Sequence, residues 1–239
     1  MSWERVDEGW GRRAAEFAYL IENLHWREYQ HLLDQLGVGQ GSRYLDIACG
    51  GGLAVRLACE RGATATGLDA SPRLTTIAAA RSPGATIKIG DMFHLPFADA
   101  SFDVATSFRG IWGNCLGALC EARRVVCAGG KVGLSFWGNQ RRMEAYPLFA
   151  VLGQTSQTER DNTGAMVNIG RPGIAEQLMI EAGLIPGTRT SLRLFWEFPD
   201  VELAARALAS TGPAYLAMQA CRRGGVHGVS PRSRGGPLC

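Results

Sequence analysis

The sequence predicts an α/β fold of the doubly wound, Rossmann-like type, with a mostly parallel sheet and helices on both faces. Between residues 43 and 137, apolar runs of strand length alternate with helical segments, as in βαβ units. Crossovers between parallel strands are right-handed, which restricts the topology to a doubly wound sheet. Three glycines at 50–52 follow the first strand and open a helix. Such sheets bind ligands outside the carboxyl ends of their strands.

The helices and strands are predicted in order from the spacing of apolar residues and from the residues that start or end helices. Apolar residues recur every three or four positions between 10 and 36, which predicts one or two helices that end at Gly37. Ser71 caps a later helix and Pro72 suits its first position. Strands are predicted at 43–48, 64–68, 85–89, 102–107 and 130–136, with helices at 52–61, from 71 and at 116–127.

The pattern changes after Trp137. Residues 138–170 are polar and irregular and are predicted to form a lid or insertion. A helix at 171–182, a long strand at 188–198 and a helix at 201–209 follow. Residues 221–239 have no periodicity, and we expect a disordered tail that is foreign to the fold.

Composition excludes several classes of protein. The chain has 239 residues, of which 46% are apolar, so one domain with a sizeable core is expected. No uncharged apolar run approaches the roughly 18 residues of a membrane span, and the first residues lack the apolar stretch of a signal peptide. We therefore expect a cytoplasmic protein that does not enter a membrane.

The distribution of charge and the spacing of the cysteines argue against a nucleic-acid-binding protein and against a metal site. Four of the 25 basic residues lie in 221–239, which leaves 21 basic and 22 acidic residues in the rest of the chain. A body so close to neutral argues against nucleic-acid binding. The seven cysteines form no CxxC pair and no Cys/His cluster with zinc spacing, so no metal site is predicted.

Acidic residues at three successive strand ends point to a nucleoside ligand with a cationic group. Asp69 can accept the hydroxyls of a ribose, and Asp91 can accept from an exocyclic amine such as that of adenine. Asp46, just before the glycines, disfavours a phosphate. A dinucleotide fingerprint would also need glycine where Val55 stands. These residues favour S-adenosylmethionine as the ligand. They disfavour the alternative of an oxidoreductase that uses a nicotinamide dinucleotide.

Several ordered motifs resemble the class I S-adenosylmethionine-dependent methyltransferases, and most closely the small-molecule branch called methyltransferase type 11. They are LDIACGGG at 45–52, GLDAS at 67–71, GDM at 90–92, LPF at 95–97 and SFDV at 101–104. EARRV at 121–125 with GGK at 129–131 is similar to the helix and loop before the fifth strand of that branch. The resemblance covers roughly residues 10–137.

The resemblance implies the roles of the site residues. Asp46, Gly50 and Gly52 would hold the methionine end, Asp69 the ribose and Asp91 the adenine amine. Met92 would lie against the adenine ring, and Ser107 would lie where the fourth strand points toward the sulfonium. The full predicted cofactor-binding set is Asp46, Ala48, Gly50, Gly52, Asp69, Ala70, Asp91, Met92 and Ser107.

The resemblance also divides the chain. Residues 1–220 would form the methyltransferase domain, with a helical cap at about 10–36, a cofactor-binding core at about 40–137 and a C-terminal part at 138–220. The final antiparallel strand of the family is expected to be missing or altered. The family usually has a residue other than glycine at the position of Gly51. Nothing after the fourth strand resembles the Asn/Asp-Pro-Pro-Tyr box of nucleobase N-methyltransferases, which disfavours a nucleic-acid substrate.

The expected activity is transfer of a methyl group from S-adenosylmethionine to a small, fairly apolar molecule. Trp112 and Trp137 follow strand ends and are the better candidates for an acceptor pocket. Trp10, Tyr19 and Trp26 are further candidates. The alternative is a protein that binds S-adenosylmethionine but is impaired by an aberrant C-terminus. These residues assign no catalytic base, acceptor, methylated atom or oligomeric state.

Overall fold

A computed structural model of the protein describes residues 6–139, 143–155 and 160–224. Its sheet has five parallel strands in the order β3-β2-β1-β4-β5. The strands are β1 (Arg43–Ile47), β2 (Thr64–Asp69), β3 (Thr86–Ile89), β4 (Phe102–Phe108) and β5 (Val126–Ser135). The strand order reverses between β1 and β4, so a ligand crevice is expected at their carboxyl ends. The predicted doubly wound parallel sheet is confirmed.

The helices flank this sheet on both faces. They are α1 (Trp26–Leu36), α2 (Leu53–Glu60), α3 (Pro72–Arg81), α4 (Leu116–Val125), α5 (Tyr146–Thr155), α6 (Arg160–Asn168), α7 (Ile174–Glu181), α8 (Val201–Ala209) and α9 (Gly212–Gly224). Before α1 come four short helical turns, here called the N-terminal segment (residues 7–25): Asp7–Gly11, Ala14–Glu16, Phe17–Ile21 and Glu22–His25. No helix within the described ranges is long and apolar enough to cross a membrane.

The alternation of side chains along β1 separates two cores. Leu45 and Ile47 face one core, which includes the buried residues of α4 and α7. Tyr44 faces the other core, which is formed with α1 and α2. Asp46 follows Tyr44 by two positions and so lies on the same face, beneath α1 and the N-terminal segment.

The predicted start of α3 is confirmed. The hydroxyl of Ser71 accepts a hydrogen bond from the backbone N–H of Leu74 at 3.2 Å, and Pro72 occupies the first helical position. The helix therefore begins directly at the carboxyl end of β2.

The C-terminal part is more helical than the sequence pattern indicates. The stretch 138–170, expected to be irregular, contains the helices α5 and α6, because Phe149, Met166 and Val167 form a small apolar core there among the polar positions. The strand predicted at 188–198 is wrong, since these residues pair with no strand. Their polar side chains bond to helices instead: Thr190 contacts His31 of α1 at 3.1 Å.

The helix α9 continues to Gly224, beyond the expected boundary at residue 220. Within the described ranges, no antiparallel strand joins the sheet, and β5 is its last strand. The predicted disorder of the tail and the hypothesis that it is foreign concern residues 225–239, which lie outside the described residues.

Candidate active site

The turn after β1 is the most distorted part of the backbone at the switch point. Ala48 has φ +58° and Gly50 has φ +55°, and across the crevice Arg109, just after β4, has φ +60°. Alanine and arginine rarely adopt this left-handed conformation, which costs about 1–3 kcal/mol and concentrates at functional sites. The two strands that flank the switch point therefore both end in strained residues.

Asp69 ties this turn to the end of β2. One carboxylate oxygen accepts a hydrogen bond from the backbone N–H of Gly50 at 2.8 Å, and the other accepts from that of Ser71 at 2.8 Å. The N–H of Ala70 also donates to it. Burial raises the pKa of Asp69, and these backbone donors oppose the rise. These bonds place Asp69 and Ala70 directly beside the glycine turn, while the cap of α3 is Ser71.

Asp46 lies beneath the turn at the end of a hydrogen-bond chain. The Tyr44 hydroxyl contacts the Thr106 hydroxyl, which donates to Oδ1 of Asp46 at 2.8 Å. Since a threonine hydroxyl has one proton, the Tyr44 hydroxyl must be the donor to Thr106. Asp46 is 2% exposed, and burial raises its pKa well above the usual range, with a further rise from the nearby Glu22 and Asp69 carboxyls.

The predicted adenine residues follow β3. Oδ1 of Asp91 accepts from the backbone N–H of Phe93 at 2.9 Å, and Oδ2 contacts Nδ1 of His94 at 3.1 Å. His94 therefore takes part in a local hydrogen bond. Met92 is half-buried beside the core on the α4 face. Asp91 is a turn residue in this structure and keeps its place at the crevice edge.

Ser107 is more constrained than the sequence indicates. It is 1% exposed, and its hydroxyl donates to the carbonyl of Ile47 at 2.8 Å. The hydroxyl therefore ties β4 to β1 and is not directed into the crevice.

The N-terminal segment lies directly on the glycine turn. A Cβ built on Gly50 would lie 3.2 Å from Oε1 of Glu22 and 3.4 Å from the Phe17 ring. The guanidinium of Arg81, at the end of α3, pairs with Glu22 and donates to the Gly51 carbonyl at 2.9 Å and the Ala18 carbonyl at 2.7 Å. The backbone N–H of Leu53, the first residue of α2, also donates to Glu22. The segment thus covers the crevice with a buried carboxyl group.

Burial dominates the ionisation of Glu22. Its side chain is 3% exposed, and desolvation raises its pKa from 4.5 to about 7 although Arg81, Leu53 and Arg109 act in the opposite direction. Glu22 therefore changes charge near neutral pH.

The packing explains the unusual glycine at position 51. A Cβ there would lie 2.7 Å from Cβ of Ala18 and 2.7 Å from Oε2 of Glu22, closer than real contacts allow. The middle glycine is thus required by the close approach of the N-terminal segment.

Replacing Gly51 by alanine is expected to displace the N-terminal segment, because Cβ of Ala18 cannot rotate away. Overpacking of this kind costs about 1–3 kcal/mol. Hydrogen exchange measured by mass spectrometry should show faster exchange in residues 7–25. Gly84→Ala is the matched control, since a Cβ there meets nothing within 4 Å. Unchanged exchange in Gly51→Ala would contradict the contact.

An aromatic cluster lies beside the ends of β4 and β5. His25, Trp137, Phe149 and Trp196 form this cluster, with ring centroids 4.9–6.5 Å apart. The guanidinium of Arg109 lies 5.8 Å from the centroid of the Trp137 ring. Arg109 also pairs with Glu28 and donates to the Tyr29 hydroxyl at 3.0 Å. A buried cation therefore borders an apolar surface near the switch point.

His25 holds the cluster together and is not available as a base. Its Nδ1 lies 3.0 Å from the Ile21 carbonyl, so Nδ1 carries the proton. Its Nε2 then accepts from the indole N–H of Trp196 at 3.1 Å. Burial, followed by the charge of Arg109, lowers the pKa of His25 well below its usual range. The neutral ring joins the N-terminal segment to the extended stretch that contains Trp196.

The other aromatic candidates are dispersed. Trp112 packs against the small core of Phe149, Met166 and Val167. Its indole N–H donates to the Arg109 carbonyl at 2.7 Å. Tyr19 and Trp26 are 56% and 45% exposed, and Trp10 packs on Phe17. A surface groove of about 560 Å³ is lined by residues 11–16 of the N-terminal segment and by Arg73, Thr76 and Ile77 of α3.

Sequence reasoning missed Glu22, Arg81 and Trp196. A signal existed for Glu22, because it is an acid between Ile21 and His25 in an apolar stretch of a predicted helix. The pairing with Arg81 depends on how the segment folds back across the sheet, which periodicity does not encode.

Comparison with known proteins identifies the family. The profile described as methyltransferase domain matches residues 45–134. A malonyl-[acyl-carrier protein] O-methyltransferase from Erwinia pyrifoliae is 32% identical over 221 residues, which cover 89% of this chain and 78% of that protein. The chain belongs to the S-adenosylmethionine-dependent methyltransferases. S-adenosylmethionine is the methyl donor that this family uses.

The chain is also similar to a quinone methyltransferase and to a solved structure with the same fold. A demethylmenaquinone methyltransferase from Tropheryma whipplei is 33% identical over 151 residues, which cover 60% of each chain. The methyltransferase thus spans about three fifths of that relative's length. A structure from Methanococcus maripaludis, described as an S-adenosyl-L-methionine-dependent methyltransferase, shares the fold with a TM-score of 0.54, 17% identity and coverage of 74% of this chain and 84% of that one.

The residues of the methyltransferase fit the cofactor. The glycines of the turn leave its backbone free of side chains, and the groups that lie over Gly50 are the Glu22 carboxyl and the Phe17 ring. The Asp69 carboxylate offers about four acceptor positions, so hydroxyl groups can bond to it in addition to its backbone donors. Buried acids at the turn suit a ligand that carries positive charge and no phosphate.

Proposed function

We propose that this methyltransferase methylates an ionised oxygen of a small acceptor that also has an apolar part, with the carboxylate of an acyl thioester as the first candidate. The observation that carries the proposal is Arg109, a largely buried cation in strained backbone at the end of β4, beside the aromatic cluster. Its guanidinium has five N–H donors, so those not used by Glu28 and Tyr29 can bind an acceptor carboxylate.

The cofactor contacts are part of the proposal. Asp69 accepts the ribose hydroxyls, while Gly50 and Gly52 let the methionine end approach the turn. Asp46 contributes negative charge beneath it. Asp91 faces the adenine amine, with Met92 against the ring. Ala48, Ala70 and Ser107 border the crevice through their backbone, since the Ser107 hydroxyl is bonded to Ile47.

The chemistry follows from this arrangement. S-adenosylmethionine supplies an electrophilic methyl group attached to a cationic sulfur. Arg109 orients the acceptor oxygen, and the aromatic cluster excludes water from it; holding two reactants in place supplies much of the acceleration. A carboxylate is ionised at neutral pH and needs no general base. This agrees with the structure, in which both ring nitrogens of His25 are hydrogen-bonded and neither can act as a base.

The relatives support an acidic oxygen as the nucleophile. The Erwinia pyrifoliae relative is an O-methyltransferase, and its match over 221 residues extends well beyond the cofactor-binding core. The segments before and after that core supply His25, Phe149 and Trp196 of the aromatic cluster.

A second candidate is a quinone-type carbon acceptor. The Tropheryma whipplei relative methylates demethylmenaquinone according to its name, and the flat rings of the aromatic cluster suit a planar acceptor. A reduced quinone can also present an ionised oxygen to Arg109, so both candidates use the same cation.

Labelled methyl transfer decides between the two candidates. We expect the purified chain to transfer label from S-adenosylmethionine to malonyl-pantetheine but not to acetyl-pantetheine, which lacks the carboxylate. Arg109→Met should raise the KM for malonyl-pantetheine about 10- to 100-fold, the scale of a lost charged hydrogen bond. Arg43→Met, which breaks an ion pair with Asp103 at the opposite end of the sheet, is the control. Label on a naphthoquinol carbon would favour the second candidate, and label on none of these acceptors would contradict the proposal.

A further inference from the structure

We propose that Glu22, on the N-terminal segment, binds the ammonium group at the amino-acid end of S-adenosylmethionine; this inference rests on the proposed cofactor contacts at the glycine turn. It adds a binding residue from outside the cofactor-binding core. It also gives the N-terminal segment a part in selecting the cofactor.

The position of Glu22 carries the inference. Its Oε1 lies 3.2 Å from the place that a side chain of Gly50 would take, and its Oε2 lies 2.7 Å from the equivalent place at Gly51. The missing side chains of a glycine turn are what allow a ligand to come close. The Glu22 carboxyl therefore lies against the glycine turn, where the methionine end would bind.

The charges around the turn favour a cation there. The carboxyl groups of Glu22 and Asp69 both raise the pKa of Asp46, so the three acids repel one another. Arg109 is paired with Glu28, which leaves Arg81 as the cation in contact with the turn. An ammonium group placed between Glu22 and Asp46 would relieve this repulsion in a site screened from water.

Glu22 has the capacity for another donor. Its carboxylate accepts from Arg81 and from the backbone N–H of Leu53. Since a carboxylate has about four acceptor positions, a further N–H can be accommodated without breaking either bond. Arg81 also stacks on the ring of Tyr19, 4.7 Å from its centroid, and holds the carboxyl in place.

Isothermal calorimetry without an acceptor tests the inference. The ligands are S-adenosylmethionine, S-adenosylhomocysteine and 5′-methylthioadenosine, which keeps the adenosine and thioether but lacks the amino-acid end. In Glu22→Gln, we expect the affinity for the first two to fall about 10- to 100-fold and the affinity for methylthioadenosine to stay within about 2-fold.

Two variants separate charge from structure. Glu16→Gln removes the same charge from the same segment, but Glu16 pairs with Arg206 and Arg13 away from the turn, and all three affinities should be retained. Arg81→Met removes the group that holds the Glu22 carboxyl in place and lowers its pKa. Affinity for S-adenosylmethionine and S-adenosylhomocysteine should therefore fall in Arg81→Met, while affinity for methylthioadenosine is retained.

Each other outcome overturns the inference. Unchanged or higher affinities in Glu22→Gln would show that Glu22 only closes the crevice. An equal loss for all three ligands in Glu22→Gln or in Arg81→Met would show a structural role of the ion pair. If the wild-type chain bound none of the ligands, the proposed cofactor contacts would fail as well, which distinguishes that failure from failure of Glu22 alone.

Discussion

Replacing Gly52 by alanine is expected to lower the free energy of unfolding by about 3 kcal/mol or more. Gly52 has φ +80°, and the left-handed conformation costs an alanine about 1–2 kcal/mol. A Cβ there would also lie 2.6 Å from Cβ and 2.8 Å from Cα of Ala78. Neither atom of Ala78 can rotate away, so α2 and α3 must separate, which adds about 1–3 kcal/mol.

The control for this substitution is Gly41→Ala. Gly41 also has φ +80°, but a Cβ there meets nothing within 4 Å. It therefore measures the backbone term alone, at about 1 kcal/mol. Chemical denaturation of both variants gives the steric term by difference. Equal losses in the two variants would contradict the close packing of the turn against α3.

The fold was predictable because each local signal agrees with the tertiary structure. The strands of the sheet are apolar runs bounded by turns, and Ser71 caps α3 by its own side chain. The motif at 45–52 also gave the location of the crevice. Parallel strands end at one edge of the sheet, so residues at successive strand ends must be neighbours.

The stretch 188–198 shows where local patterns mislead. Its alternation of apolar and polar residues is typical of a strand, but a strand also needs a partner to accept its backbone hydrogen bonds. Instead, Arg189 pairs with Glu176 at 3.0 Å and donates to the Gly170 carbonyl, and Trp196 packs on Trp137. Side-chain contacts with distant segments determine this conformation, and the sequence pattern does not contain them.

The same limit applies to the covered crevice. The acids at 46 and 69 could be located because they belong to strands. Glu22 could not, since its contact with Gly50 depends on the path of four short helical turns. The glycine at position 51 is the sequence feature that reflects this contact, because a larger residue would collide with Ala18 and Glu22. Its meaning becomes clear only from the position of the N-terminal segment.

Asp69→Ala is expected to weaken binding of S-adenosylmethionine by about 100-fold or more and to destabilise the protein by about 2–4 kcal/mol. The substitution removes the proposed acceptor of two ribose hydroxyls, each a charged hydrogen bond. It also leaves the backbone N–H groups of Gly50 and Ser71 without their 2.8 Å partners, at about 1–3 kcal/mol for each buried donor.

The matched control is Asp200→Ala, which removes the cap of α8. Asp200 accepts from the backbone N–H of Leu203 at 2.7 Å, the same kind of bond in an exposed place. Its loss should cost about 1 kcal/mol and leave cofactor affinity unchanged. Calorimetry and denaturation on both variants separate the two roles of Asp69. A carboxylate that contacts the ribose cannot be removed without loss of affinity. If Asp69→Ala loses stability but binds the cofactor normally, the role of Asp69 is therefore to hold the glycine turn through its bonds to Gly50 and Ser71.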